Sequence, residues 1–427
     1  MLKRIASWLC CLVLLLSCAG GPSSATVDKT PARPGATAPA LQLPPLTLTL
    51  WHPWSGRKEQ ALDALARSFE QLHPEIRIRL EAHPVASLVH DYAAVAADAG
   101  GPQLLLLRGR YVGELALSQH LLPLDTVVPT PTLTLLLPAA LANGQVNGHP
   151  YGMPLSLDAL VFWYDRRMLT RQPASLMDLF AAPGATVTST VAPDATTTAT
   201  PQPSIKLAYH LSLVTTLPYL YALDGRLQNA SDGVALGTTM RPAAVHWLSA
   251  LQDLMAQPQV RASDDLALVD RALQIGHAWS AIDWSYQGSE YESVWGKDAI
   301  GVAGLLPATT GGKAPPTMVA ADVLSVNPVT NAEQRMAAYS FVRYALSEEA
   351  QTNLAKIAGV VPANSRAKVD AATHALRAAI NTAVPEPTTL DSRSWAILND
   401  MVQNVLTGNA VPEQALDAAT AQLQPAH

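Results

Sequence analysis

Cysteine is almost absent from this chain of 427 residues. Its three cysteines all lie within the first 18 positions, so the sequence beyond Cys18 holds no disulfide and no thiolate nucleophile. A globular region of about 380 residues must then be stabilised by its apolar core without covalent cross-links. That length is ample for such a core and favours two lobes over one.

Motifs typical of enzymes and of nucleic-acid binders are missing as well. The sequence has no G-x-S-x-G elbow, no H-E-x-x-H and no glycine loop of the Walker or Rossmann kind in the right context. The eleven histidines lack metal-ligand spacing, so we predict no metal and no cofactor. The net charge is -6 and Lys and Arg are not clustered, which argues against a nucleic-acid partner.

The amino terminus has the features of an export signal. The basic pair Lys3-Arg4 precedes an apolar stretch that is too short for a permanent membrane helix. The run Leu15-Leu16-Ser17-Cys18 resembles a bacterial lipoprotein box, which implies that residues 1–17 are removed and that Cys18 is lipidated. An ordinary signal peptide, cut nearby and taking Cys18 with it, is the alternative. Residues 18–45, rich in Pro, Ala and Thr, predict a flexible tether.

The globular region begins with alternating strand and helix patterns. Residues 46–51 and 76–80 alternate apolar with other side chains, which predicts two strands. Between them, apolar residues three and four apart over 62–72 predict a helix that ends at His73-Pro74. Strand, helix and strand make a βαβ unit, so we expect a parallel sheet with right-handed crossovers. Residues 103–107 predict a third, fully buried strand.

Later segments predict further helices and one unusual insertion. Ser347 followed by two glutamates is a typical helix start. Residues 394–406 predict a helix ended by Gly408, and a last helix is expected to begin near Pro412. Residues 183–204 consist mostly of Thr, Ala, Pro and Val, which predicts a disordered surface insertion.

Five blocks in order resemble the extracellular solute-binding proteins of ABC importers, in the branch that includes maltose-binding protein. The blocks are the loop and helix from Trp51 to Pro74, the turn Leu121-Leu122-Pro123-Leu124-Asp125, Tyr151 to Asp165, Asp283 to Pro307, and Ala337 to Ala363. The chain departs from this family at Gln103, where Asp is common, at Leu176, where Trp is common, and in its insertion.

The resemblance implies an α/β fold with two lobes, each a mostly parallel sheet flanked by helices. A hinge would be crossed near 153–159, 319–326 and 358–363. The first lobe is then expected to comprise 46–157 and 322–360, and the second 158–321 and 361–427.

The implied function is that of a monomeric binding protein rather than an enzyme. It would capture a carbohydrate, with an oligosaccharide as the favoured ligand, by hinge closure and deliver it to an ABC permease. It would be exported and held by its lipid at the outer face of the cytoplasmic membrane or in the periplasm.

Candidate ligand contacts are aromatic, acidic and basic residues that follow strands or lie at the hinge. Sugars offer C–H faces to aromatic rings and hydroxyls to charged groups, and open α/β sheets bind ligands beyond the carboxyl ends of their strands. From strand position and from the resemblance together, the candidates are His52, Trp54, Ser55, Arg108, Arg110, Tyr111, Asp158, Asp283, Trp284, Tyr286 and Trp395. For Trp54 and Trp395, the alternative to ligand contact is packing in the core. For Arg108 and Arg110, the alternative is an exposed position on the protein surface.

Two other functions remain open at this point. Paired carboxylates such as Glu290 and Glu292 would suit a lipid-tethered glycoside hydrolase. A non-sugar binder is the second: a polyamine site needs several cleft acids, and an iron site needs clustered Tyr and His. Tyr219 and Tyr221 give only a weak hint of the latter, because residues two apart do not share a helix face.

Overall fold

The computed structural model describes residues 45–98, 100–181, 205–230, 233–235, 240–274, 278–380, 383–388 and 390–424. The predicted signal peptide, the lipidation site Cys18, nearly all of the tether and the insertion at 183–204 lie outside these residues. From Pro45 onward the chain forms one compact unit. Among the described residues, no helix is long and apolar enough to cross a membrane.

Strands and helices alternate along most of the described chain. The strands are β1 (Leu46–His52), β2 (Ile76–Ala82), β3 (Leu104–Arg108), β4 (Gln145–Val146), β5 (His149–Pro150), β6 (Met153–Asp165), β7 (Leu207–His210), β8 (Gln228–Ala230), β9 (Gly233–Ala235), β10 (Val260–Ser263), β11 (Ser280–Trp284), β12 (Ile300–Ala303), β13 (Met318–Val326), β14 (Val361–Pro362) and β15 (Val384–Pro385). The helices are α1 (Gly56–Leu72), α2 (Leu88–Val95), α3 (Val112–Leu117), α4 (Thr130–Leu133), α5 (Pro138–Ala142), α6 (Asp178–Ala181), α7 (Leu213–Ala222), α8 (Arg241–Met255), α9 (Leu266–Gln274), α10 (Gly288–Trp295), α11 (Ala332–Ala345), α12 (Glu348–Ala358), α13 (Ala371–Ile380), α14 (Ser392–Leu406) and α15 (Pro412–Leu423).

Eleven of the described strands form one mixed sheet. Its main order is β10-β7-β11-β6-β13-β3-β1-β2, with β12 and β14 paired to β6 and β15 to β13. In the first half, β1 runs parallel to β2 and β3; in the second half, β7 runs parallel to β10 and β11. Antiparallel pairs of β13 with β3, β13 with β6 and β6 with β11 join the two halves. The α/β prediction with parallel strands in each half is confirmed.

The local sequence predictions hold at most of these elements. Strand β1, helix α1 and strand β2 form the predicted βαβ unit, with β1 and β2 in parallel register. Helix α1 buries the apolar stripe that includes Leu62 and Phe69. Ser347 caps α12 by accepting a hydrogen bond from the backbone N–H of Ala350 at 3.2 Å. Helices α14 and α15 occupy the predicted places, although α14 begins two residues early because Asp391 caps it.

The three segments predicted as hinge crossings lie side by side at the centre of the sheet. They fall in β6, in β13 and at the end of α12 with β14, and both β13 and β14 pair with β6. Strand β13 is buried throughout its length, and β6 nearly so. The central strands therefore connect the two halves, while the exact lobe boundaries remain a prediction.

Apolar helices cover both halves of the sheet. In the first half, Phe69 of α1 packs edge-on against Phe341 of α11, with ring centroids 5.2 Å apart. In the second half, Trp247 of α8 and Leu398 of α14 belong to one buried apolar cluster with α15. Burial of apolar surface is worth about 25 cal/mol per Å², so these layers supply the main stabilisation expected of a core without disulfides. They also fix the strand ends that carry the candidate site.

Candidate functional site

A cavity of about 890 Å³ lies where strand ends from both halves of the sheet meet. The residues that follow β1 and β3 form one wall, and those that follow β7 and β11, together with α14, form the other. The carboxyl ends of parallel strands share one edge of a sheet, which is why polar loops from distant parts of the chain converge here. The volume lies within the range usual for small-molecule sites.

Nine of the eleven candidate ligand contacts line this cavity. They are Trp54, Ser55, Arg108, Arg110, Tyr111, Asp158, Trp284, Tyr286 and Trp395. The structure thus brings together side chains from the loop after β1, the turn after β3, the hinge strand β6, the end of β11 and helix α14. Their contact with a solute remains a prediction.

The other two candidates, His52 and Asp283, do not reach the cavity. Strand β1 continues through His52, whose side chain is only 1% exposed, and burial lowers the pKa of its imidazole. Asp283 precedes Trp284 in β11, and successive side chains of a strand point to opposite faces. Because Trp284 lines the cavity, Asp283 lies behind it and accepts a hydrogen bond from the Tyr291 hydroxyl at 3.0 Å.

Five charged side chains form a central ion network at the base of the cavity. Lys58 Nζ lies 3.3 Å from a carboxylate oxygen of Asp158 and 3.3 Å from one of Asp322. The Arg108 guanidinium donates to Asp158 at 3.0 Å and to Glu386 at 3.4 Å. Two cations therefore face three mostly buried carboxylates, and each cation contacts more than one of them.

Burial and charge act in opposite directions on this network. Burial alone would raise the pKa of Asp322, but Lys58 and Arg108 outweigh it and the pKa is lowered. Burial alone would lower the pKa of Lys58, but Asp158 and Asp322 outweigh it and the pKa is raised. Trp54 Nε1 donates a further hydrogen bond to Asp322 at 2.9 Å. Lys58 and Asp322 are thus held in their charged forms at neutral pH.

Sequence reasoning missed Lys58, Asp322 and Glu386. Lys58 lies in the first turn of α1, directly after the loop that carries Ser55, so its position was an available signal. Asp322 is the one charged residue of the mostly apolar strand β13, and such a residue is seldom buried without a partner. Glu386 follows the short strand β15, and nothing in the local sequence marks it.

Three cation–aromatic contacts cross the cavity from one wall to the other. The pairs are Lys58 with Tyr286 at 5.2 Å, Arg108 with Trp284 at 4.9 Å and Arg110 with Trp395 at 5.3 Å from cation to ring centroid. Such contacts are worth about 0.5–2 kcal/mol each, depending on how far they are removed from water. They hold the two walls against each other in this arrangement.

The described residues contain no group of three or more His, Cys, Asp and Glu side chains that could hold a metal ion. In the central ion network, the carboxylates of Asp158, Asp322 and Glu386 already face the ammonium of Lys58 or the guanidinium of Arg108. Their arrangement therefore suits hydrogen bonding to a ligand better than the coordination of a cation.

The buried carboxyl of Asp283 gives a pH-dependent prediction. Burial raises the pKa of Asp283, the nearby Asp270 adds to this effect, and the hydrogen bond from Tyr291 acts against it. The wild-type protein therefore loses stability as the pH rises from about 3.9, the pKa of an aspartate in the unfolded chain, through the higher pKa that Asp283 has in the folded protein. Since asparagine cannot ionise, the stability of Asp283→Asn relative to wild type is expected to increase from pH 4 to pH 7. Urea unfolding at several pH values measures this difference. The control is Asp98→Asn at an exposed position, whose stability relative to wild type should not increase in this way.

Comparison with protein sequences places the chain among exported binding proteins. A family model for the bacterial extracellular solute-binding protein matches residues 64–379. Over 150 residues the chain is 25% identical to an uncharacterised ABC transporter extracellular-binding protein of Pyrococcus horikoshii. That alignment covers 32% of this chain and spans about a third, 33%, of the length of the curated relative.

Solved structures give the same fold over nearly the whole described chain. The GacH receptor of Streptomyces glaucescens, solved without ligand and with acarbose, has a TM-score of 0.73 at 21% identity, covering 89% of this chain and 98% of its own. The maltose/maltodextrin-binding domain MalE of Bdellovibrio bacteriovorus, bound to maltotriose, has a TM-score of 0.71 at 20% identity, covering 88% and 98%. The predicted fold is therefore confirmed. Since the family model spans most of the sequence, the protein belongs to the bacterial extracellular solute-binding proteins.

Proposed function

We propose that this protein binds an oligosaccharide in the cavity and delivers it to the membrane permease of an ABC importer. The observation that carries this proposal is the combination of aromatic rings and buried charged groups on the walls of one cavity of about 890 Å³. The solved relatives with this fold include proteins bound to acarbose and to maltotriose. The curated relative with a matching segment is named as an ABC transporter binding protein.

The chemistry of the cavity suits a sugar. Tyr286 and Trp395 offer flat apolar rings on which the C–H face of a pyranose can stack. Asp158 is only 1% exposed, and its Oδ1 has no hydrogen-bond partner in the described chain. A ligand hydroxyl that donates to this oxygen would form a charge-assisted bond and satisfy a buried acceptor that is otherwise unpaired.

Hinge closure follows from the way the two walls are joined. Strands β6, β13 and β14 connect the two halves of the sheet. Opening would separate the three cation–aromatic pairs, and a solute between the walls would replace those contacts with its own. Binding is then a shift of population from an open to a closed arrangement, and the permease would recognise the closed one.

Export and a lipid anchor at Cys18 belong to the same proposal. The family is extracellular, in agreement with the signal-like amino terminus. A lipid on Cys18 and the tether at 18–45 would hold the binding domain near its permease without restricting hinge motion.

The alternatives have less support from the site. The proposed hydrolase pair, Glu290 and Glu292, does not line the cavity, and Glu290 accepts a hydrogen bond from Gln274. Asp322, which does line it, has a lowered pKa, whereas a glycosidase acid needs a raised one. A polyamine would meet carboxylates that already face Lys58 and Arg108. These contacts favour a binder of uncharged hydroxyls over both alternatives.

Tryptophan fluorescence of the purified protein, titrated with mono- and oligosaccharides, tests the proposal. Trp54, Trp284 and Trp395 line the cavity, so closure around a sugar should give a saturable change in emission. The sugar should be recovered intact, which excludes hydrolysis. If no saccharide of a broad panel changes the emission, the proposed carbohydrate ligand is contradicted, while membership of the solute-binding family still holds.

A further inference from the structure

Arg110 differs from the other two cations that cross the cavity. Lys58 and Arg108 contact carboxylates, but Arg110 forms no ion pair within the described part of the chain. Its guanidinium lies between two aromatic rings, 4.5 Å from the centroid of Tyr111 and 5.3 Å from that of Trp395. One Nη donates to the Tyr111 hydroxyl, while Nε is buried without a hydrogen-bond partner among the described residues.

The neighbouring indole has a free donor too. Trp395 is 9% exposed, and its Nε1 has no hydrogen-bond partner in the described chain. Arg110 and Trp395 both line the cavity. Buried donors without an acceptor are costly, so two of them at one place indicate that a ligand supplies the acceptors.

The missing charge decides which acceptors fit. Sugar hydroxyls would satisfy the donors but would leave the guanidinium charge uncompensated once the cavity closes and water leaves. A carboxylate supplies acceptors and a compensating charge, and its planar geometry matches the guanidinium fork. Resting on the proposed function, we propose that the ligand is an acidic saccharide, a uronate-containing oligosaccharide whose carboxylate binds Arg110.

The rest of the cavity fixes the orientation of such a ligand. In the central ion network, three carboxylates face two cations, so this region disfavours an anion and favours hydroxyl donors. Asp158 Oδ1 is the acceptor left unpaired there. The acidic group is therefore directed to Arg110 and the uncharged hydroxyls to Asp158.

Isothermal titration calorimetry with matched sugars tests this inference. The probes are di- and trisaccharides of glucuronate, galacturonate and mannuronate, each compared with its carboxyl-reduced neutral counterpart. At least one uronate is expected to bind about 10-fold more tightly than its neutral counterpart, the size expected for one charge-assisted contact. The preference should shrink as salt is raised, because salt screens the charges of the free ligand and of the open cavity before they meet.

Variants then assign the preference to Arg110. Arg110→Gln should bring the uronate and its neutral counterpart to similar Kd values, and Arg110→Lys should keep part of the preference because it keeps the charge. Arg67→Gln, which removes an exposed arginine of α1, should leave the preference unchanged. Melting curves verify that each variant is folded.

The outcomes separate this inference from the proposed function. Equal binding of acidic and neutral forms, tighter binding of neutral sugars, or a preference that survives in Arg110→Gln would overturn the acidic-ligand inference alone. Failure of every saccharide to bind, acidic or neutral, would overturn the proposed function together with the inference.

Discussion

Replacement of Arg108 by methionine is expected to lower the free energy of unfolding by about 3–5 kcal/mol, the usual cost of removing one partner from a buried ion pair. Arg108 donates to Asp158 and Glu386 and lies 3.7 Å from Asp322. Without it, Lys58 alone would face Asp158 and Asp322, and Glu386 would lose its pairing with the guanidinium away from bulk water. Methionine keeps most of the side-chain length, so lost packing is a minor part of the expected change.

Urea unfolding of wild type and Arg108→Met at pH 7 and pH 4 measures the effect and its cause. If repulsion between the carboxylates is responsible, their protonation at pH 4 should reduce the difference in free energy of unfolding between wild type and variant. The control is Arg241→Met, which breaks an exposed pair with Asp417 and should cost no more than about 1 kcal/mol. A loss of stability that is equal at both pH values would instead indicate that lost side-chain packing is its cause.

The sequence predicted the elements that local patterns specify. The alternation in β1 and β2, the apolar stripe of α1 and the proline that follows it, and the cap at Ser347 all act within a few residues. Their order then implied parallel strands, and parallel strands imply a ligand edge. That is why candidates chosen by their position after a strand came to line one cavity.

Long-range pairing was beyond the reach of those patterns. Lys58 meets Asp322, 264 positions later in the chain, and Arg108 meets Glu386, 278 positions later. No local periodicity records such partners. His52 and Asp283 lie outside the cavity for a more local reason. Strand β1 runs one residue further than predicted and includes His52. Strand β11 places Asp283 on the face opposite Trp284.

The aromatic candidates also have two different physical roles. Trp284 is only 5% exposed and belongs to the buried apolar cluster of the second half. Tyr286, two residues later, is 37% exposed in the same cavity. Folding and binding are therefore expected to depend on different members of this short segment.

Replacement of Tyr286 by alanine is expected to weaken oligosaccharide binding about 30-fold, which corresponds to about 2 kcal/mol for a central aromatic contact. Because the ring is partly exposed, its removal should lower the free energy of unfolding by only about 1 kcal/mol. Trp284→Ala should cost about 3–5 kcal/mol of stability, since it empties a well-packed site and removes the ring over which Arg108 lies.

Fluorescence titration and urea unfolding of both variants separate the two roles. Tyr286→Phe is the matched control, because it keeps the ring face and removes only the hydroxyl, so binding through stacking should be largely retained. Should Tyr286→Ala bind sugar as tightly as wild type, stacking on this ring is not part of recognition. Should Trp284→Ala remain as stable as wild type, packing of the indole does not contribute to the stability of the core. The indole would then be a cavity side chain whose contact with Arg108 can break when a sugar binds.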